Sequence, residues 1–310
     1  MMLGKSPVAR ERFEAALDSL VAEIREDNHI LAAILCGSLS HDEVWDKSDI
    51  DLVLVCTDDR KTKTHDVALV ADDINIHTTV QPRAEFRQRL ESSVRNLFGH
   101  SVFAKARLVY SRDPSIDAIF AELGKVGARD SQVQAMHAAQ HALASLYKAR
   151  KWYEIKDDDA YTALWILTTA RALAEVEVGL HGEIVGREAL IDALRLNPDV
   201  FKLIYTDLLE REVTRQALTV ALDAIDAYLE PRAEELFAPV LEYLDEAGGD
   251  PRAARDIAHY FRRNYDMEHV IIACEWLSDI GVIEKASTPV KLTTRSQIDV
   301  EELAFFRVKW

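Results

Sequence analysis

The stretch AAILCGSLSHDEVWDKSDIDLVLVC, residues 32–56, joins two apolar runs through a polar segment, and two aspartates stand where the second run begins. Asp49 and Asp51 flank Ile50. In a β-strand, both carboxylates therefore project from one face while Ile50 points to the core. Two parallel carboxylates repel each other and require a positively charged partner. The sequence thus predicts a charged site at the point where the chain enters a buried strand.

A divalent cation is the partner that suits this pair of carboxylates. Mg²⁺ prefers oxygen ligands and usually takes one or two carboxylates, while water and substrate phosphates complete its shell. We therefore predict that Asp49 and Asp51 bind Mg²⁺ (or Mn²⁺). The alternative is a solvated strand end in a charged loop, which needs no metal.

The turn that follows the first apolar run, Gly37–Ser38, suits a phosphate-binding role. Glycine lets the backbone approach a phosphate closely, and a turn after a strand exposes N–H groups that bind anions. The Ser38 hydroxyl adds another donor. A plain turn without a ligand is the alternative, and the phosphate interpretation depends on the aspartates for support.

Charge, cysteines and hydropathy limit the class of protein. The 310-residue chain carries a formal net charge of −16, which argues against a general binder of nucleic acids or membrane surfaces, because such proteins need a basic footprint. The three cysteines, Cys36, Cys56 and Cys274, follow neither a zinc pattern nor a disulfide pattern and favour a reducing compartment. No run reaches the ~18 apolar residues of a membrane helix, and the charged N-terminus does not resemble a signal peptide. We expect a cytoplasmic protein.

The first domain is predicted to span residues 1–116. Apolar segments at 30–36 and 50–56 indicate strands, and the alternating segment DINIHTTVQP indicates a third strand that ends at Pro82. Helical patterns precede and follow these strands. The first domain is therefore expected to be a small lobe built on a mixed sheet.

Two further domains are predicted behind this lobe. The second domain is predicted to span residues 117–230, and its residues 130–230 show almost nothing but a helical pattern, which is typical of an all-α bundle with short loops. Residues 231–310 read as a helix over 233–250, two more helices, and two short strands within 282–293. That order resembles a winged helix-turn-helix. The whole chain is predicted to be an α+β protein.

The segment GSLSHDEVWDKSDIDLVLV resembles the G-S…S-D-x-D-L signature of the nucleotidyltransferase superfamily, which has the DNA polymerase β-like fold. It contains Gly37, Ser38, Ser48, Asp49 and Asp51 at the spacing of the minimal and aminoglycoside-type members. The helical region behind it is similar to the one in kanamycin-type enzymes. The full layout, with a winged-helix tail, is similar to a bacterial branch of the superfamily.

This resemblance implies a mechanism and roles for the residues of the motif. The family transfers NMP from an NTP, which we expect to be ATP, to a hydroxyl acceptor and releases pyrophosphate. The motif assigns Asp49 and Asp51 to metal binding and catalysis. It assigns Gly37, Ser38 and Ser48 to the nucleotide phosphates. Catalysis then consists mostly of positioning and charge neutralisation.

The helical region offers one candidate nucleotide-binding residue and a set of aromatic residues. Kanamycin-type enzymes draw a phosphate-binding lysine from this region, which makes Lys148 a candidate. A solvated helix face, with the lysine stem packed on the surface, is the stronger alternative. We predict that the nearby aromatic residues form core or a contact with the first lobe, with base stacking as the alternative: Trp152, Tyr153, Tyr161 and Trp165.

Two positions depart from the pattern of the superfamily. A third carboxylate usually comes from a neighbouring strand, and the alignment of INIHTTVQPRAEF places His77 there, with Asn75 on the same strand face. A neutral imidazole suits Mn²⁺ or Zn²⁺ better than Mg²⁺; it also suits the role of a base, and a satisfied strand histidine is an equal alternative. The arginine expected three residues after Ser38 is replaced by His41.

Three functional hypotheses follow. The first is an active nucleotidyltransferase; the second is a catalytically weak nucleotide-binding regulator; the third is an antitoxin-like or DNA-binding module acting through the tail. The candidate recognition helix, within 267–281, carries acidic residues and neither lysine nor arginine. A surface that follows phosphates needs positive charge, so DNA binding is disfavoured against a protein contact or a homodimer.

Overall fold

The structure, a computed structural model, describes residues 7–41, 48–59, 62–93, 106–122, 128–183, 185–186 and 188–308. The chain divides into two compact units, Met1–Gly127 and Ala128–Trp310, and each is described by itself. The first is built on a mixed sheet and the second is mainly helical, which confirms the α+β class. The predicted boundary at residue 116 falls inside a helix, Pro114–Glu122. The division at residue 230 stays a prediction.

The first unit has helices on both faces of a five-stranded sheet. Its described elements are α1 (Pro7–Ile24), β1 (Ile30–Cys36), β2 (Ile50–Cys56), β3 (His65–Ala71), β4 (Ile74–Pro82), α2 (Arg83–Ser93), β5 (Arg107–Ser111) and α3 (Pro114–Glu122). The strand order is β3-β4-β2-β1-β5. Only β2 and β4 run parallel among these neighbours. These directions place the starts of β2 and β4 beside the end of β1, so that all three lie where the strands of the sheet begin or end, at the same border of the sheet.

Alternating side chains of the central strands build two cores. On one face, α1 packs Phe13, Leu17 and Leu20 against the sheet residues Ile50 and Leu52. On the other face, a second cluster joins α2 and α3 to the sheet through Ile34, Val53, Val55, Phe86, Leu90 and Ile116. Because β2 is covered on both faces, it reads as a continuous apolar run in the sequence.

Strand β3 was missed by the sequence patterns, which indicated only a charged loop or hairpin over 58–66. It pairs with β4 as an antiparallel hairpin at the edge of the sheet. The connecting turn places Asp72 and Asp73 at φ 47° and 60°, a left-handed conformation that aspartate tolerates in tight hairpins. Every residue of β3 is exposed or half-buried, but residues 67–71, VALVA, are all apolar, so the sequence contained a strand signal that the prediction did not use.

The first part of the second unit is a set of helices. The described elements are α4 (Ala128–Lys151), a π-helical turn (Trp152–Lys156), α5 (Asp159–Leu180), α6 (Ala189–Leu196), α7 (Pro198–Phe201), a second π-helical turn (Lys202–Thr206), α8 (Asp207–Glu210) and α9 (Arg215–Leu229). Thr214 caps α9 by accepting a hydrogen bond from the backbone N–H of Ala217 at 3.2 Å. The region predicted to be helical is therefore built of these helices and turns.

The end of the second unit combines short helices with a three-stranded sheet. Its elements are α10 (Ala233–Leu236), α11 (Ala238–Asp245), β6 (Arg252–Ala253), α12 (Ala254–Tyr265), α13 (Val270–Asp279), β7 (Glu284–Val290) and β8 (Val300–Phe306), with the strands in the order β6-β8-β7. This order of helices and strands agrees with the winged-helix interpretation, which stays a prediction.

Two details of the predicted tail are wrong. The single helix predicted over 233–250 divides at Phe237, because Pro239 stands in the first turn of α11 and cannot donate to the preceding turn. The two strands predicted within 282–293 are one strand, β7, whose partner is β8. Pro289 lies in β7, at the edge of the sheet, where a missing donor is tolerated.

The candidate recognition helix α13 packs against α4. Burial, together with the negative charges of Asp279 and Glu275 on α13, raises the pKa of Tyr147 on α4 to about 12. Asp279 itself is exposed and accepts a hydrogen bond from Lys285 Nζ at 2.8 Å. DNA binding through this helix stays a disfavoured prediction.

Within the described ranges, no helix combines the length and the apolar content that a bilayer span requires.

A cluster of histidines where α13 meets α4 predicts a pH dependence of stability. Burial and the neighbouring His137 and His269 lower the pKa of His141 below its usual 6.5. The folded state therefore binds a proton at His141 less readily than the unfolded state does. The contribution of neutral His141 to the free energy of unfolding is complete above about pH 6.5 and is lost as the pH falls further. We expect His141→Gln to show a smaller fall in melting temperature than the wild type between pH 7.5 and 5.5.

The matched control is His259→Gln, because His259 is, like His141, an exposed histidine but lies on α12 and is not among the neighbours that lower the pKa of His141. This control should keep the pH dependence of the wild type in the same thermal scans. If the melting temperature of His141→Gln falls between pH 7.5 and 5.5 as much as that of the wild type, the interpretation is wrong.

Candidate functional site

The strand register brings together three side chains that the sequence singled out. In the parallel pair of β2 and β4, Asp51 lies directly opposite His77, and in the antiparallel pair of β1 and β2 it lies opposite Cys36. Asp49 precedes the first residue of β2. The alternation of side chains along β2 therefore places both carboxylates at the sheet edge where β4 begins.

His77 and Asp49 are close enough to form an ion pair when the imidazole is protonated. The His77 Nδ1 lies 3.3 Å from Asp49 Oδ2, and the two side chains are 60% and 48% exposed. Both groups are thus accessible from solvent. His77 occupies the strand position where the alignment expected a third carboxylate, and it approaches the first of the two aspartates.

Gly37 and Asp51 are in direct contact, which explains the glycine at this position. A Cβ built on Gly37 would overlap Oδ2 of Asp51 and stand 3.0 Å from its Cγ and 3.2 Å from its Cβ. Gly37 also adopts φ +67°, in the left-handed region that favours glycine. The carboxylate of Asp51 therefore rests against the backbone of the turn that was predicted to bind phosphate.

The chain after Gly37 is fixed by one hydrogen-bonded turn and one buried side chain. The carbonyl of Gly37 accepts from the Ser40 hydroxyl at 2.7 Å and from the Ser40 backbone N–H at 3.1 Å. Ser38 begins a short 3₁₀ turn, Ser38–His41, and Leu39, 1% exposed, anchors this turn in the core. Ser38 itself is half-buried and lies one residue beyond the Gly37–Asp51 contact.

The connection between this turn and β2 lies partly outside the described residues. Ser48 is described and half-buried, directly before Asp49. Residues 42–47 and the side chain of His41 are not described, so the predicted departure at His41 lies outside the described residues.

Three residues on the same sheet face as the carboxylates were not singled out as site residues in the sequence: Cys36, which lies opposite Asp51, and Arg89 and Gln81, of which Gln81 lies opposite Val55, four residues further along the strands. Cys36 is buried, and burial together with the charge of Asp51 raises its pKa to about 12, against a smaller lowering by Arg89. The thiol therefore stays protonated at neutral pH and does not act as a nucleophile. Arg89 on α2 donates from Nη1 to Gln81 Oε1 at 3.4 Å. Only the packing of α2 on the sheet shows that these residues belong to this region.

Lys148 lies in the second unit, on an exposed part of α4. Its Nζ stands 4.3 Å from the centroid of the Trp165 ring, a cation–π contact. The lysine stem therefore packs on the surface, as the stronger alternative expected. A role for Lys148 in nucleotide binding stays a prediction.

The aromatic residues near Lys148 are not core residues. Trp152 and Tyr161 contact each other with ring centroids 4.3 Å apart and planes tilted by 32°, and the Arg215 guanidinium carbon stands 3.6 Å from the Tyr153 ring centroid. Tyr161 is 45% exposed, and the rest of this aromatic set is half-buried. The core part of the prediction is therefore wrong, because these residues pack on one another and on cationic side chains; the contact with the first lobe and the base-stacking alternative stay predictions.

The donor set of the site agrees with Mg²⁺ or Mn²⁺ better than with zinc. Among the described residues, no group of three or more His, Cys, Asp or Glu side chains is arranged to hold a metal. A closed zinc site needs four such ligands, whereas Mg²⁺ takes one or two carboxylates and draws the remaining ligands from water and phosphates. Asp49 and Asp51 satisfy the second requirement.

Comparisons with known proteins support the fold of the chain. Residues 19–115 match the family model described as "Polymerase beta, Nucleotidyltransferase", which confirms the resemblance of this region to the superfamily. A crystal structure of a nucleotidyltransferase-like protein from Exiguobacterium sibiricum 255-15 is similar over 96% of this chain and 99% of that chain, with a TM-score of 0.65 and 14% identity. At that identity, the likeness shows the fold. No curated protein matches the chain.

Proposed function

We propose that this chain is a metal-dependent nucleotidyltransferase that moves NMP from an NTP to a hydroxyl acceptor and releases pyrophosphate. A general nucleotidyl-transfer role is supported by the matching domain at residues 19–115. The observation that carries the finer proposal is the contact of Asp51 with Gly37, because it joins the acidic strand start to the phosphate-type turn. Asp49 and His77 stand at the same sheet edge.

The nucleotide is proposed to bind with its triphosphate at the Gly37–Ser38 turn. Gly37 offers an open backbone because it carries no side chain, and the Ser38 and Ser48 hydroxyls add hydrogen-bond donors. ATP is the expected substrate. Asp49 and Asp51 would hold Mg²⁺ or Mn²⁺, which when bound neutralises charge on the phosphates and polarises them.

The proposed reaction is an in-line displacement at the α-phosphorus. The acceptor oxygen forms a bond to the α-phosphorus, the bond from that phosphorus to the bridging oxygen breaks, and pyrophosphate leaves with the electron pair. The hydroxyl proton is released at the solvent-exposed side of the site. The protein contributes mainly orientation, since the Asp51 carboxylate is fixed against Gly37 and the turn is fixed by Ser40 and Leu39.

A ligand screen and a product assay test this proposal. Melting temperatures are measured with ATP, GTP, CTP and UTP, each with Mg²⁺ or Mn²⁺, and pyrophosphate release is then measured with the best nucleotide and a panel of hydroxyl acceptors. We expect a metal-dependent rise in melting temperature and release of pyrophosphate. If no nucleotide raises the melting temperature with either metal, the nucleotide site does not exist.

Replacing His77 should alter the metal preference of the reaction. We expect His77→Ala to lower the rate of pyrophosphate release by about tenfold or more, since the group beside Asp49 and opposite Asp51 is lost. His77→Asp should raise the rate with Mg²⁺ relative to the rate with Mn²⁺, because a carboxylate suits Mg²⁺ better than an imidazole does. The ratio of rates in Mg²⁺ and Mn²⁺ is the measurement. Equal ratios in the wild type and His77→Asp would exclude a role of His77 at the metal.

A second candidate function is a nucleotide-binding regulator with little or no turnover. It is favoured by one observation: the strand position opposite Asp51, where the superfamily pattern supplies a third carboxylate, holds a histidine. Such a protein would bind an NTP with a metal and release no pyrophosphate. The same two assays therefore separate the two candidates.

A further inference from the structure

Four apolar side chains meet at the surface where α4 leads into α5. Ile155 is 72% exposed, Leu164 50% and Tyr161 45%. Trp152 is half-buried, and its ring centroid lies 4.3 Å from that of Tyr161. Leu164 follows Tyr161 by three residues on α5 and therefore lies on the same side of the helix, while Ile155 stands in the same π-helical turn as Trp152. We call these four residues the hairpin surface.

The composition of the hairpin surface is typical of a protein–protein contact. A single exposed leucine is normal, but several adjacent exposed apolar residues mark a binding surface. Tyrosine and tryptophan are enriched in such contacts, because their rigid rings bury a large area at a low cost in conformational entropy. None of the four residues carries a charge, which suits the centre of an interface.

The helical part of the hairpin is basic. Residues 141–151 of α4 and 161–174 of α5 contain no aspartate or glutamate, although the chain as a whole has a net charge of −16. Arg150 in this part is paired with Asp226. The remaining lysines and arginines of these two segments are exposed: Lys148, Lys151 and Arg171. Positive charge thus borders the hairpin surface along the two helices.

The turn between α4 and α5 is acidic. Residues 154–159 hold four acidic side chains and one basic side chain, Lys156. Arg215 pairs with two of the four, Asp157 at 3.1 Å and Asp159 at 2.8 Å, and the Asp157 side chain remains 88% exposed. Negative charge thus borders the hairpin surface at the end that this turn forms.

We propose that the hairpin surface binds a second copy of this chain about a two-fold axis near Leu164, with the two α5 helices antiparallel. A two-fold interface uses the same surface of both copies, so that surface must be complementary to itself. Arg171 lies seven residues after Leu164 and Asp157 seven residues before it, so this axis brings Arg171 of one copy near Asp157 of the other. The apolar residues then form the centre, and opposite charges at the rim fix the register.

A nucleic acid fits the same surface less well than a second copy does. Its phosphates would suit the basic helical part, but the acidic turn at the end of the surface repels them. A second copy supplies both signs of charge in the reverse order and therefore satisfies both parts at once. The inference does not depend on the proposed nucleotidyl transfer.

The oligomeric state of the full chain tests this proposal. It is measured by light scattering after gel filtration and by sedimentation equilibrium at protein concentrations from about 1 to 100 μM, which detect a Kd of about 10 μM. We expect a dimeric wild type and a monomeric Leu164→Glu, because the new charge would be buried at the axis. The matched control is Leu209→Glu, since Leu209 is 58% exposed on α8; it should remain a dimer. Melting temperatures show whether each variant is folded.

A second pair of variants tests the arrangement about the axis. Arg171→Glu should raise the dimer dissociation constant by about tenfold or more, because two like charges then face each other at each end of the interface. Arg211→Glu is the matched control. The side chains of Arg171 and Arg211 are both 73% exposed, and each forms an ion pair with an acidic residue four positions earlier or later in the sequence.

Three results would overturn the proposal. If the wild type is a monomer at the highest concentration, the hairpin surface does not bind a second copy and is left to the predicted contact with the first lobe or to base stacking. If a folded Leu164→Glu remains a dimer, the copies associate through another surface. Equal dissociation constants for Arg171→Glu and Arg211→Glu would exclude the antiparallel arrangement.

Discussion

Asp51→Asn is expected to lower the rate of pyrophosphate release by on the order of a hundredfold or more, in line with the loss of one preorganised electrostatic contact. The amide has the shape of the carboxylate, so it fills the same space against Gly37. Its neutral oxygen is a much weaker ligand for a hard cation. Asp49→Asn should have an effect of the same order, since the two carboxylates share one sheet edge.

The control for these variants is Asp72→Asn, which removes one negative charge from the same unit. Asp72 lies in the turn between β3 and β4 at φ 47°, a conformation that asparagine also adopts readily. Its rate of pyrophosphate release should equal that of the wild type. A hundredfold loss in Asp72→Asn as well would show that the assay reports net charge and not the site. Full activity of Asp51→Asn would exclude the metal role of this pair.

Gly37→Ala is expected to destabilise the first unit by about 3 kcal/mol or more and to abolish nucleotide binding. Two separate effects add. An alanine at φ +67° pays the left-handed penalty of roughly 1–2 kcal/mol. Its methyl group would also overlap the Asp51 carboxylate, so either the turn or the strand start must move.

Gly248→Ala separates these two effects. Gly248 has a similar φ of +65°, and a Cβ built on it meets no described atom within 4 Å. This variant should lose only the backbone penalty, about 1 kcal/mol. Amide hydrogen exchange of β1 and β2 measures the loss of stability in Gly37→Ala, and exchange in α11 measures the loss of stability in Gly248→Ala. Equal losses in the two variants would show that the contact with Asp51 has no energetic effect.

The strands and helices that were predicted correctly share a strong local signal. The runs at 30–36 and 50–56 are strands with those bounds because they are buried and bounded by polar residues. The third strand ends at Pro82 as predicted, since proline lacks the donor that a longer ladder needs. Strand β3 and the division of the predicted 233–250 helix at Phe237 were missed although both have local signals, the apolar residues 67–71 and Pro239.

The aspartates and the Gly37–Ser38 turn were identified from the sequence because their spacing along one short segment is itself the signal. The period of two along a strand fixes the common face of Asp49 and Asp51 before any fold is known. The sequence could not reveal the contact between Gly37 and Asp51, which depends on the antiparallel register of β1 against β2. Register is a property of strand pairing and cannot be read from either strand alone.

The sequence by itself determined the acidic pair, the turn before it and the order of most helices and strands, because these follow from periodicity and from residue type. The tertiary structure alone decided that His77 faces Asp51, that Arg89 and Gln81 stand on the Cys36 side of the sheet, and that α13 is packed against α4. Each of these depends on segments that lie far apart in the chain. Only hydrogen bonding between strands and packing between helices brings such segments together.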